Sequence, residues 1–203
     1  MRGSGRPREW DCAVKWLTMD VIALAGSLRS ASINAAFCRA AARLAPAGMR
    51  IAPYRAGLGS LPLFNPDLEA APPDTVRQFR DALGKADALI IASPEYAHGV
   101  SGVLKNALDW LVSDEAFIGK AVALINTSPR AHHAYDATLE VLRTMSATPV
   151  PEASITLPLL GRCTTEEQMV SSGEIAAQIR NALGALQAFL HVGAQDGPSF
   201  PIS

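Results

Sequence analysis

The chain has 203 residues, of which 49% are hydrophobic and 18% charged, and its formal net charge is -1. That length suits one domain with a substantial core, and the near-neutral balance excludes the basic field that nucleic-acid binding requires. No apolar stretch approaches the length of a membrane span, which argues against a membrane partner.

Residues 1 to 19 differ in character from the rest of the chain. Met1-Arg2-Gly3-Ser4-Gly5-Arg6-Pro7-Arg8 is basic and glycine-rich, and no long apolar core succeeds it as in a secretory signal. The segment reads as a disordered extension (a leader, a tag remnant or an overlong start), with Met19 just ahead of the first strand. Residues 20 to 191 read as the folded domain and 192 to 203 as a C-terminal tail. The three cysteines, Cys12, Cys38 and Cys163, are odd in number, far apart and in no CxxC pair. This argues against a disulfide framework or a zinc site and for a reducing, cytoplasmic compartment.

Val21 to Ala25 is a short apolar run, β-branched at its start, and reads as an interior parallel strand. From Ile33 the apolar residues fall at Ile33, Phe37, Ala41 and Leu44, which is helical spacing. Between them, Ser27-Leu28-Arg29-Ser30-Ala31-Ser32-Ile33-Asn34 packs hydroxyls, a guanidinium and an amide into one strand-to-helix turn. A helix N-terminus leaves backbone N–H groups unpaired and carries partial positive charge, so such a turn suits an anion. A dinucleotide turn needs several glycines for close approach to a pyrophosphate, whereas only Gly26 is present here. No acidic residue closes the second strand to take a ribose; Tyr54-Arg55 stands there instead. Ser27, Ser30, Ser32 and Asn34 as donors, with Arg29 adding a charge-assisted one, suit a compact terminal phosphate. Taken singly, Ser32 or Asn34 reads equally well as a helix cap.

Met49 to Pro53 reads as the second strand, followed by a Gly- and Pro-rich loop from Arg55 to Pro73. A helix is expected over Asp74 to Lys85 with Asp74 as its cap, then a wholly apolar strand over Ala88 to Ala92. The next helix spans Ser101 to Val112 with Leu104, Leu108 and Leu111 inward. A fourth strand covers Ala121 to Asn126. The helix His133 to Ser146 places Tyr135, Leu139, Leu142 and Met145 on one face. A fifth strand falls within Glu152 to Leu157, and a last helix over Glu174 to Leu190 repeats Ile175, Ile179, Leu183, Leu186 and Leu190. Five strands interleaved with helices make an α/β fold, a doubly wound five-stranded parallel sheet with helices on both faces. Ligands in such sheets sit beyond the carboxyl ends of the strands. That brings together three loops: Ser27 to Asn34, Ser93 to Ser101, and Thr127 to His133.

Ser93-Pro94-Glu95-Tyr96-Ala97-His98-Gly99-Val100-Ser101-Gly102 is polar, kinked by proline and relieved by two glycines. It can turn backbone N–H groups toward a planar ligand, with Tyr96 offering an aromatic face. Gly26 to Asn34, Pro94-Glu95-Tyr96 and Gly102-Val103-Leu104-Lys105-Asn106-Ala107-Leu108-Asp109-Trp110, in this order and spacing, resemble the NADPH-dependent FMN reductase family. Leu61-Pro62-Leu63-Phe64-Asn65-Pro66-Asp67 resembles that family's long loop after the second strand, so the likeness runs from about Val21 to Leu190.

The resemblance implies a flavodoxin-like fold, FMN as cofactor, and NADPH or NADH as co-substrate. It implies that Ser27, Arg29, Ser32 and Asn34 hold the phosphate, and that Pro94, Glu95, Tyr96, Ala97 and His98 lie along the isoalloxazine. It further implies a homodimer or homotetramer whose contact lies near the helix Leu104 to Trp110; Trp110 then reads either as an interface residue or as ordinary core. Many relatives carry a glycine-rich stretch after the fourth strand. Here Asn126-Thr127-Ser128-Pro129-Arg130-Ala131-His132-His133 stands in its place, leaving Ser128 and Arg130 as candidates to meet the flavin or, for Arg130, the nicotinamide phosphate. Adjacent His132 and His133 diverge, and no ligand cluster accompanies them, so no metal is expected. Glu95 reads as a solvated or hydrogen-bonded loop residue, since hydride transfer needs no acid or base.

The expected activity is electron transfer from NAD(P)H to a small-molecule acceptor (a quinone, flavin, azo compound or metal oxyanion) in a ping-pong cycle. No Ser-His-Asp set competes with that reading. The alternative is a non-catalytic FMN-binding electron carrier or sensor, although carriers are generally strongly acidic.

Overall fold

The structure, a computed structural model, describes residues 18–195. The extension expected over residues 1 to 19 therefore lies outside the described residues except for its last two, as do residues 196 to 203 of the expected tail. Met19 already belongs to the first strand, and the last helix runs on to Gln195.

In chain order the elements are β1 (Met19–Ala25), α1 (Ile33–Arg43), β2 (Met49–Pro53), α2 (Asp74–Gly84), β3 (Ala88–Ala92), β4 (Glu95–Tyr96), β5 (Gly99–Val100) and α3 (Gly102–Asp109). There follow β6 (Ala121–Asn126), α4 (His132–Thr144), β7 (Thr148–Pro149), β8 (Ile155–Thr156), α5 (Glu166–Ser171) and α6 (Gly173–Gln195). The main sheet is parallel in the order β2-β1-β3-β6, with β7 and β8 both on the outer edge of β6. Every residue of β3 and β6 is buried, as their unbroken apolar runs require. Alternate residues serve opposite faces. Ala88, Ile90 and Ala92 of β3 pack with Phe37 of α1 and Ile179 and Leu183 of α6. Leu89 and Ile91 pack with Phe79 of α2 and Leu104 and Leu108 of α3.

The sheet has six strands rather than five because its last position is split. Thr148–Pro149 pairs with the start of β6 and Ile155–Thr156 with its end. Prolines at 149 and 151 supply no N–H to a ladder, and the chain leaves the sheet in a short 3-10 turn over Pro151–Ala153. Ser154 fills the gap: its Oγ accepts the Leu124 N–H at 3.0 Å and donates to the Val150 carbonyl at 2.9 Å. Two helix expectations also shift. Asp74 is the first helical residue rather than the cap, which falls at Pro73, and its carboxylate pairs with Arg77. Ser101 caps α3 by accepting the Leu104 N–H, and the helix stops at Asp109. The short α5 carries no helical period long enough to read from the pattern.

Trp110 is core. Its side chain is fully buried within the chain, its Nε1–H donates to the Pro62 carbonyl at 2.8 Å, and Phe64 meets it edge-on with centroids 5.0 Å apart. Asn106 donates to the same carbonyl at 3.0 Å, so α3 pins the long loop after β2 at that point. Arg80 of α2 closes the cluster, donating to the Trp110 carbonyl at 2.7 Å and pairing with Glu69. Trp110→Phe should lower the unfolding free energy by about 1–3 kcal/mol through a lost hydrogen bond and a small void. Urea denaturation measures this; a change in association state with unaltered stability would return Trp110 to an interface role.

Candidate functional site

The three loops converge at the carboxyl end of the sheet, and the closeness of the first two depends on Gly26. Its N–H donates to the Ala92 carbonyl at 2.8 Å, extending the β1–β3 pairing beyond the strands. A Cβ placed on Gly26 would stand 2.2 Å from Ser93 Oγ and 2.7 Å from Ser93 Cβ, so only glycine lets the loops lie side by side. Ser93 Oγ and Ser101 Oγ share a hydrogen bond of 3.2 Å directly beside it.

A cleft of about 390 Å3 lies between the loops. Of the residues singled out from sequence, Ser27, Arg29, Ser32, Asn34, Pro94, Glu95, Tyr96 and Ser128 line it. Ala97, His98 and Arg130 do not. Sequence reasoning named the loops but not Ser93, Asn126 or Thr127 as individual lining residues. It missed Leu160 and Thr164 altogether, which reach the cleft from the segment after β8. That segment has no periodicity and no motif, so no signal pointed to it.

At the start of α1 the capping reading holds for Ser32. Ser32 caps α1, its Oγ accepting the Ala35 N–H at 3.1 Å. The amides of Ile33 and Asn34, in the first turn, have no intrahelical acceptor and find no other among the described residues. Asn34 is buried, and its Oδ1 accepts the Thr127 hydroxyl at 2.9 Å, joining the first loop to the third. Arg29 is exposed and makes no ion pair among the described residues. The turn thus keeps N–H groups and one cation free while its caps are internally satisfied.

The second loop is a small hairpin, β4 paired antiparallel with β5. Its turn places Ala97 at φ 49° and His98 at φ 57°, left-handed values that suit a tight two-residue connection but are uncommon without glycine. Gly99 and Gly102, expected to relieve this loop, are not the residues that take the strained positions. Glu95 holds the hairpin to α4: Oε2 accepts the Ala134 N–H at 2.9 Å, and Oε1 faces His98 Nδ1 at 3.2 Å. The Ala134 N–H, and then the nearby imidazoles of His133 and His98, hold the Glu95 carboxyl below its usual range. The rings of His98 and His133 meet edge-on with centroids 4.5 Å apart. No group of three or more His, Cys, Asp or Glu among the described residues is arranged to hold a metal.

The glycine-poor third loop is shaped by Asn126, whose Oδ1 accepts the Ser128 N–H at 3.0 Å and whose Nδ2 donates to the Ala131 carbonyl at 3.2 Å. A side-chain turn therefore does what a glycine-rich backbone would do elsewhere. Cys38, on the inner face of α1, is buried, and burial pushes its thiol up to about 12, so it offers no nucleophile. Cys163 is half-buried and also unpaired; Cys12 lies outside the described residues. No helix among the described residues is long and apolar enough to cross a membrane.

Comparison with known proteins agrees with this architecture. The family model described as NADPH-dependent FMN reductase matches residues 19–159. The chain is similar to an NAD(P)H-dependent FMN reductase of Pseudomonas aeruginosa, 41% identical over 111 residues covering 53% of this chain and 59% of that one. It is also similar to a quinone reductase of Pseudomonas putida, 36% identical over 145 residues covering 66% of this chain and 76% of that one. The matches to the first of the curated relatives span about three fifths of their length. Among solved structures, FerB, a flavoenzyme NAD(P)H:(acceptor) oxidoreductase from Paracoccus denitrificans, superposes with a TM-score of 0.73 at 26% identity, covering 86% of this chain and 98% of that one.

Because the Glu95 carboxyl sits below its ordinary value, its contribution to stability is present above the unfolded pKa and disappears as pH falls through the folded one. Glu95→Gln keeps an acceptor for the Ala134 amide but cannot titrate. The decline in Tm between about pH 5 and pH 3 should be shallower in that variant than in the parent. Parallel curves from thermal scans across this range would separate Glu95 from the acid response.

Proposed function

This chain belongs to the NADPH-dependent FMN reductase family, and on that premise we propose that it is an NAD(P)H-dependent, FMN-containing reductase acting on a small-molecule acceptor. A quinone is the first choice of acceptor, since five of the similar proteins carry the name quinone reductase; a flavin, azo compound or metal oxyanion is the wider class. The observation that carries the reading is the pairing, in one cleft, of an anion-ready helix N-terminus with a wall formed by the Pro94–Tyr96 segment.

The donor set fits a flavin mononucleotide. Arg29, Ser27 and the free amides of Ile33 and Asn34 take the phosphate, since they combine a cation with N–H groups at a helix N-terminus. Ser32 and Asn34 act by holding that turn in place. Ser93, Thr127 and Ser128 supply polar groups along the middle of the cleft, and Pro94, Glu95 and Tyr96 form the wall for the ring. Ala97 and His98 hold the hairpin tip, and Arg130 stands outside the lining. Bound FMN would supply electron transfer between nicotinamide and acceptor. The protein's part is to orient, to exclude side reactions, and to offer backbone dipoles where negative charge gathers. Donor and acceptor use the site in turn, a ping-pong order, in a reducing cytoplasmic setting. Leu28 and Tyr96, 63% and 51% exposed on a shared wall, support a homodimer or homotetramer that covers them.

The purified protein should show a flavin absorption spectrum, release FMN identifiable by mass, and bleach rapidly when mixed anaerobically with NADPH. A colourless preparation that ignores added FMN would overturn the reading, and a flavoprotein that NADPH does not bleach would be a carrier or a sensor. Arg29→Ala should weaken FMN retention by about 1.5–3 kcal/mol, the value of a hydrogen bond to a charged group. Fluorescence titration of apoprotein with FMN measures it, and unaltered affinity would remove Arg29 from the phosphate site.

A further inference from the structure

Leu160 differs from its neighbours in the lining of the cofactor cleft: it is a large apolar side chain, 58% exposed, on a turn that is held from both sides. Leu157 and Leu159 anchor the turn in the core, both fully buried. The Leu157 N–H donates to the Asn126 carbonyl at 2.7 Å and the Leu159 N–H to the Thr127 carbonyl at 3.4 Å, so the segment follows the third loop. The chain then reverses. The Arg162 and Cys163 N–H groups both donate to the Leu159 carbonyl at 3.0 Å, and Gly161 takes a left-handed φ of 77°. Beyond the turn, Arg162 pairs with Glu174 at 3.0 Å, and the Gln168 side chain accepts the Thr164 and Thr165 N–H groups. A lone exposed leucine is ordinary on a protein surface. This one is fixed in the wall of a cleft, on a turn that starts at residue 159, where the match to the family ends.

Two contacts locate the turn within the cleft. Thr127, which it follows, is joined to Asn34 of α1 through its hydroxyl. The segment then continues into α5, whose Glu166 pairs with Arg39 and Arg43 of α1. Leu160 and Thr164 therefore approach the cleft from the side of the α1 N-terminus. An apolar cover has most effect there, because contacts between a phosphate and its donors strengthen when water is excluded, whereas exposed ones are screened by salt. We propose that the turn over residues 159–163 covers the phosphate end of bound FMN, with Leu160 keeping water from the phosphate and so slowing release of the cofactor. The inference rests on the reductase reading for the ligand's identity. Leu160 thus makes FMN a retained group rather than one that exchanges at each turnover, and it takes no part in electron transfer.

The test is exchange of bound FMN, in the FMN-loaded protein, for an excess of isotopically labelled FMN, with the retained flavin read by mass. Leu160→Ala should release FMN about tenfold faster, the size of uncovering most of a leucine side chain. Its association rate, from stopped-flow mixing of apoprotein with FMN, should stay within about twofold of the parent's, since contacts made only in the complex act on release. Leu160→Met keeps the apolar bulk and should release FMN at close to the parent rate. Added salt should accelerate release more steeply in Leu160→Ala than in the parent, because the uncovered phosphate contacts are screened. The Tm of the apoprotein should be the same in both, since an exposed side chain contributes little to folding. Unaltered release in Leu160→Ala, or an equal salt dependence in the two proteins, would overturn the proposal and leave the reductase reading in place. A lowered apoprotein Tm would make Leu160 a folding residue and overturn it as well. A protein that takes up no FMN would overturn both readings.

Discussion

The distance between Gly26 and Ser93 governs the arrangement of the whole carboxyl end of the sheet. β1 and β3 are neighbours, and the Gly26 amide continues their hydrogen-bonding one residue past the strands. At that point the first loop must rise into the turn before α1 while the second begins its hairpin. A methyl group on Gly26 would sit inside the Ser93 side chain, so the two loops would separate and the wall between Ser27 and Pro94 would open. Absence of a side chain here is a steric requirement set by a neighbour far along the chain, not a demand for unusual backbone angles.

Long-range hydrogen bonds then lock the frame. Thr127 donates to Asn34 across 93 residues, and the Ala134 amide donates to Glu95 across 39. Each bond joins a different pair of elements around the cleft, and each uses a side chain rather than the first amides of α1. The left-handed Ala97 and His98 carry backbone strain at the hairpin tip, and Glu95 holds the hairpin against that strain from both sides.

Much of this was readable from residue order. The apolar runs at 88–92 and 121–126 mark central strands because both faces of those strands are covered, and Leu104 and Leu108 mark the inner stripe of α3. The crowding of hydroxyls, an amide and a guanidinium between Ser27 and Asn34 marks a polar turn because a turn's chemistry is local. The split last strand was harder. Its two pieces have only two residues each, too short for any period, and Ser154 substitutes for the missing ladder in a way that depends on Leu124 lying opposite. Leu160 and Thr164 reach the cleft only because the chain turns back after β8.

The order of residues alone therefore determined the central strands, the long helices, the parallel sheet and the three loops that meet at its carboxyl end, since apolar period and turn chemistry act over a few residues. Tertiary structure decided which of the polar side chains are free. Ser32, Asn34 and Glu95 look equally available in the sequence, yet one is spent on its own helix cap and the others on partners elsewhere in the chain. Arg29 makes no ion pair among the described residues. Hydrogen-bond satisfaction is settled by what folding brings alongside, and those partners lie too far along the chain for any local pattern to announce them.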